Sequence, residues 1–250
     1  MASTTDVEPG ALPFASYVDA IGEEAERLAQ AARRGLELAV PSCPGWSVRD
    51  LVDHVSGVYR FWTMQLEARH PESRTEVVDP GRSDVLETFD TEVVRLVAAL
   101  SAAGPASPSW NWSGSDLVAA WVARRMALES AVHRVDGELA IGAPLPVERE
   151  LAVDGIDERI GLHLVIDAAD DPAMTLGGSI CLVCSDDVAA WVVELSGGRV
   201  RWRRGRGPAD VVVVGRASDL FLFTWNRIGL DGLEMTGRRD IAERWRELRI

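Results

Sequence analysis

The feature that most constrains this chain is a change of hydrophobic period near its middle. Up to residue 140, apolar side chains recur every three or four positions in four long stretches. Beyond residue 150 they alternate, or run together in short segments rich in Val and Ile. The first pattern belongs to amphipathic helices and the second to strands. The Gly142-Ala-Pro-Leu-Pro146 segment between them has the composition of a boundary. The expected organisation is therefore an all-α domain over 1–145 followed by an α+β domain over 146–250.

In the first half, Phe14, Val18, Ile21, Ala25, Leu28 and Ala32 trace one helical stripe, stopped by Gly35. Pro41, Pro44 and Gly45 then impose a tight connector. Ser47 offers an N-cap oxygen, with Asp50 placed to complete a capping box and Trp46 just before the cap. Leu51, Val55, Val58 and Trp62 form the stripe of the second helix, and the spacing puts His54 on that same stripe, pointing inward. A third helix is expected from a Ser83 cap to Ala103, ended by Gly104-Pro105. A fourth is expected from a Ser115 cap to Ala140. The fourth carries an unusually wide apolar belt (Leu117, Trp121, Leu128, Val132, Val135 and Leu139, widened by Val118, Val122 and Met126), so it should be buried over much of its circumference. Four such helices with modest loops predict an up-down four-helix bundle.

In the second half, strands are expected at 161–167, 174–184, 188–195, 198–204 and 209–215. Ser196-Gly-Gly-Arg199 is a hairpin signal. Helices at 217–227 and 240–248 complete an antiparallel sheet covered by helices on one face.

The formal charge of −13 argues against a nucleic-acid surface, which needs a concentrated positive field. The basic run Arg199–Arg206 reads as a solvated hairpin. All 26 basic residues are arginine, a compositional mark of a GC-rich bacterial genome. No secretory signal and no membrane-length apolar run is visible, so the cytoplasm is the expected compartment. The three cysteines make no disulfide framework. Cys181 and Cys184 lie in a strand-like run where positions three apart face opposite sides, so they read as core residues.

Chemistry concentrates in Ala127–Asp136. Glu129 and His133, four apart on the fourth helix, leave the same face one turn apart. Two readings fit the pair alone: an exposed ion pair, or two ligands of a divalent ion awaiting a third. The apolar belt moves the pair toward the interior. His54 needs a partner for its ring nitrogens, either a buried carbonyl or a metal.

Pro44-Gly-Trp-Ser-Val-Arg-Asp-Leu-Val-Asp-His54, followed by Arg125-Met-Ala-Leu-Glu129-Ser-Ala-Val-His133-Arg-Val-Asp136, resembles the mycothiol-dependent maleylpyruvate isomerase family. The resemblance implies a DinB-like bundle with a sterol-carrier-protein-like C-terminal domain. It also implies a divalent metal, zinc first, held by His54, Glu129 and His133, with mycothiol as the thiol cofactor at an open coordination position. The residue before the motif glutamate is often histidine in that family; here it is Leu128. Arg227, near the end of a C-terminal helix, is the candidate catalytic cation for a substrate carboxylate, or else a surface arginine. Asp53, Arg134 and Asp136 flank the ligands and are candidates to orient them, or are solvated charges. Cys43 reads as packing, and His70 and His163 receive no role. Trp62, Trp110, Trp112 and Trp225 are candidate pocket walls.

The expected activity is isomerisation of, or thiol transfer to, a small electrophile such as maleylpyruvate. The partners are that substrate and a low-molecular-weight thiol, with no nucleic acid and no membrane. The competing reading is a non-catalytic binding protein with a structural or vestigial metal.

Overall fold

The computed structural model describes residues 11–76 and 84–248. They fall into two compact units that meet in sequence between Leu145 and Pro146.

The first unit is a bundle of α1 (Phe14–Ala32), α2 (Val48–Ala68), α3 (Val85–Ala103) and α4 (Ala119–Ala140). α1 packs chiefly on α4 and α2 chiefly on α3. Gly137 lets α1 and α4 approach closely, since a Cβ there would stand 2.6 Å from Leu28 Cδ1. The Ser47–Asp50 capping box forms as expected. Ser47→Ala should therefore destabilise the bundle by about 1 kcal/mol, readable as a small fall in its unfolding midpoint; no change would show that the cap is dispensable.

Three expectations for this unit need correction or completion. The Ser83 cap lies outside the described residues, and Asp84 caps α3, its Oδ1 accepting from the N–H groups of Leu86 and Glu87 at 3.0 and 3.1 Å. α4 starts at Ala119, not beside Ser115, because Asn111 turns the preceding segment into a loop. Its amide donates to the carbonyls of Ser115 and Asp116, and Asp116 adopts φ 46°. Finally, the buried face of α2 is Leu51, Val52, Val55, Tyr59 and Trp62. His54 sits at its edge and is exposed, one position off the stripe assigned from spacing.

α4 is buried on nearly all sides, yet its buried positions include Arg125, His133, Arg134, Asp136 and Glu138. Charges at that depth must be paired. Fully buried Arg134 donates to Glu24 Oε2 (2.5 Å), Glu138 Oε2 (2.8 Å) and the Leu145 carbonyl (2.6 Å). The other oxygen of Glu138 accepts from Arg27, and the Leu145 N–H returns to Glu138 Oε2. The network ties α1, α4 and the end of the unit together.

The second unit opens with α5 (Arg149–Glu158), which runs through a π-helical stretch, Arg159–His163, into α6 (Leu164–Asp170). The strand expected at 161–167 is thus helical, and residues 174–178 carry no strand. A short apolar run bounded by charges suits a buried helix as well as a strand, and periodicity alone does not separate them. The strands β1 (Ser179–Cys184), β2 (Ala190–Ser196), β3 (Arg199–Arg204), β4 (Val211–Gly215) and β5 (Glu234–Gly237) form one sheet in the order β3-β2-β1-β4-β5. Its pairings are antiparallel except β1 with β4, which is parallel. β5 had no counterpart in the expected strands; Met235 is its single partly buried residue, so it lacks the alternation that marks a strand. At the β2–β3 hairpin Gly197 and Gly198 take φ 57° and 70°, as a two-residue primed turn requires.

Helices α7 (Ala217–Thr224) and α8 (Arg239–Trp245) complete the unit. Alternate residues Ile180, Leu182, Trp191, Val193, Val211 and Val213 are fully buried. The Trp191 indole donates to Asp157 of α5 at 2.7 Å. Gly161 of the π-helical stretch lies against the Trp202 ring, which a Cβ would meet at 2.9 Å. Cys181 and Cys184 are both buried in β1 on opposite faces.

Candidate metal centre

Helix periodicity brings Glu129 and His133 onto one face of α4, and the packing of α2 carries His54 to the same place. His133 Nε2 lies 3.1 Å from Glu129 Oε1, and His54 Nε2 lies 3.7 Å from that same oxygen. One donor atom from each of the three falls within 4.8 Å of the others. Ligands about 2.0–2.1 Å from a tetrahedral zinc stand roughly 3.3 Å apart, so the two contacts to Glu129 Oε1 bracket the spacing an ion would impose. Burial grades across it: His133 is buried, Glu129 partly so, and the His54 side chain 38% exposed. The ring of His54 meets that of His133 edge-on at 5.2 Å and packs on Trp46 at 5.0 Å.

Each remaining polar atom of the α4 pair has a partner. His133 Nδ1 contacts Asp136 Oδ2 at 2.9 Å. Asp136 is fully buried, accepts from Ser42 Oγ at 2.5 Å, and lies 3.8 Å from Cys43 Sγ. A carboxylate behind a ligating imidazole fixes its tautomer and aim. Glu129 Oε2 is bound by the guanidinium of Arg125. Burial alone would raise the Glu129 pKa, but Arg125, His133 and His54 outweigh it and hold the carboxyl well below the usual range. Burial likewise disfavours a charged His133, yet Glu129 and Asp136 overcome it and raise its pKa to about 9. The His133 ring thus lies between two carboxylates, Glu129 and Asp136.

Of the residues flanking the candidate ligands in sequence, Asp136 does reach one of them. Arg134 does not: it turns to Glu24 and Glu138. Asp53 is exposed and lines a groove along α2 with His54, Gly57, Val58, Phe61, Trp62 and Trp112, enclosing about 440 Å³. Trp110 stacks behind Trp62 at 6.3 Å. Trp225 and Arg227 belong to the second unit. Trp225 is buried there, with its ring under the Arg159 guanidinium at 5.2 Å. Half-buried Arg227 donates to the Trp225 carbonyl at 2.8 Å. Sequence reading gave no role to Arg125 or Ser42. Arg125 was open to detection, since it stands one turn before Glu129 just as His133 stands one turn after. Ser42 had no such signal.

Residues 18–137 match the sequence profile of the mycothiol maleylpyruvate isomerase N-terminal domain. No curated protein matches the chain by sequence. Among solved structures, the crystal structure of the mycothiol-dependent maleylpyruvate isomerase is similar over 90% of this chain and 93% of its own, with a TM-score of 0.66 at 14% identity. A histidine-to-alanine mutant of that isomerase is similar over the same shares, with a TM-score of 0.64 at 13% identity. At that identity the likeness establishes a shared fold across both units. Residues 18–137 therefore belong to the mycothiol maleylpyruvate isomerase N-terminal domain family.

Proposed function

We propose that this protein is a metal-dependent enzyme that uses mycothiol to act, as an isomerase or an S-transferase, on a small electrophile such as maleylpyruvate. The observation that carries the reading is the convergence of His54, Glu129 and His133 beside an aromatic-walled groove. Two imidazoles and a carboxylate suit a zinc-like ion and leave it a coordination position for exchange. When bound, such an ion supplies the acidity that makes a thiol a thiolate near neutral pH. The chain's own residues do the rest. Asp136 aims His133, Arg125 keeps Glu129 ionised, and Phe61, Trp62 and Trp112 offer apolar walls for the electrophile beside His54.

The direct test is cobalt-loaded protein titrated with mycothiol, followed by a panel of electrophiles assayed with and without the thiol. A visible spectral shift and thiol-dependent turnover are expected. A cobalt spectrum that ignores the thiol would indicate a site closed by protein ligands, and so the binding-protein reading.

Proton and ion compete for His133 Nε2. Because the imidazolium persists up to about pH 9 in the metal-free protein, ion uptake near neutrality expels a proton. Zinc affinity should then rise about tenfold per pH unit through the neutral range, measured by chelator competition. A flat profile would show that ion uptake displaces no proton from His133 near neutrality.

A further inference from the structure

The two oxygens of Glu129 have different neighbours. Oε1 faces both imidazole Nε2 atoms, at 3.1 and 3.7 Å. Oε2 faces away from them and is held by Arg125, one turn earlier on the same helix. We propose that Arg125 is a positioning residue that confines Glu129 to one-oxygen coordination and so keeps a position on the ion open. This rests on the metal reading above and specifies how that site is kept accessible.

The pair is a poor candidate for a mere helix-stabilising contact. An acid four residues before a base is the favourable order on a helix, and here the order is reversed. Nor is it a solvated surface pair, because Arg125 is only 6% exposed. A guanidinium donates along fixed directions to a carboxylate oxygen, so Oε2 is committed before any ion arrives. The count of positions shows what this does. Two imidazoles and a two-oxygen carboxylate fill all four places of a tetrahedral ion, and a closed shell is the mark of a structural site. Two imidazoles and one oxygen leave the fourth place for a thiol. Lysine would keep the charge but donates as a compact point without the planar fork. It should therefore hold Oε2 less strictly.

The test uses the full chain loaded with cobalt, comparing wild type with Arg125→Met and Arg125→Lys. Three readouts are followed: metal stoichiometry, the visible cobalt spectrum, and the concentration of a simple thiol, N-acetylcysteine, that half-converts that spectrum. Arg125→Met should still bind one cobalt. Its spectrum should respond little to added thiol, which should bind at least about tenfold more weakly, the lower end of what losing an outer partner usually costs. Arg125→Lys should fall between the two. At a thiol concentration that saturates wild type, zinc-edge absorption should show a sulfur neighbour in wild type and little or none in Arg125→Met. Spectra and thiol titrations that superimpose on wild type would overturn the proposal. So would loss of the metal from both variants, since Arg125 would then be needed for retention rather than for coordination mode. Wild type that takes up no cobalt would defeat the metal reading itself, a distinct result because no spectrum appears before any substitution.

Discussion

His133→Ala should leave a bundle that purifies with almost no bound metal, against about one equivalent in wild type, and without thiol-dependent activity. The imidazole supplies one of three donors, so its loss should exceed the roughly 10–100-fold in affinity that an outer partner contributes. His54→Ala should empty the site to a similar degree. The two variants should differ in stability. The His54 side chain is exposed and leaves little behind. Removing His133 takes one partner from Asp136, which has zero exposure and keeps Ser42 and Cys43 near it. An under-partnered buried charge costs on the order of 1–3 kcal/mol or more, so His133→Ala should unfold at clearly lower temperature than His54→Ala. Metal analysis of protein purified without chelators, with thermal unfolding alongside, measures both. Full metal content in His133→Ala would remove the proposed centre.

Arg134→Met should be the most destabilising single change in the bundle. It removes the donor shared by Glu24, Glu138 and the Leu145 carbonyl, and Arg27 remains to serve only Glu138. Breaking a buried ion network from one side costs about 3–5 kcal/mol. For a unit of this size that corresponds to a fall in Tm of the order of 10 °C. Replacing a whole buried cluster by apolar residues is often neutral, so Glu24→Leu added to Arg134→Met should recover part of the loss. Metal content should be unchanged throughout, because the network points away from the triad. A Tm within about 2 °C of wild type would show the network to be solvated.

The contrast between His133 and Arg134 shows what the sequence could and could not convey. Adjacent in sequence and both buried, they point to different neighbourhoods, and only the packing of α1 against α4 decides which. Helical periodicity located the four bundle helices, and i,i+4 spacing located Glu129 with His133, because both are local properties. His54 was harder. Its spacing from Leu51 and Val58 suggested an inward stripe, but α2 is rotated so that Val52 and Tyr59 take the core and His54 the rim. Its place beside α4 is a tertiary fact that only the family resemblance anticipated. In the second half, residues 161–167 misled because a buried helix and a buried strand can share one apolar composition. The start of α4 misled because Asn111, not Ser115, organises the turn before it.

The proposed ligands have one further consequence, for the way ions and folding are linked. Two stand on α4 and the third on α2, so a bound ion would act as a crosslink between helices distant in sequence. Anything that binds the folded bundle and not the unfolded chain raises its stability with the logarithm of free ligand concentration. Zinc should therefore lift the unfolding temperature of this unit progressively, and removing any one of the three donors should flatten that dependence. The bundle's melting curve then becomes a gauge of site occupancy that needs no knowledge of the substrate.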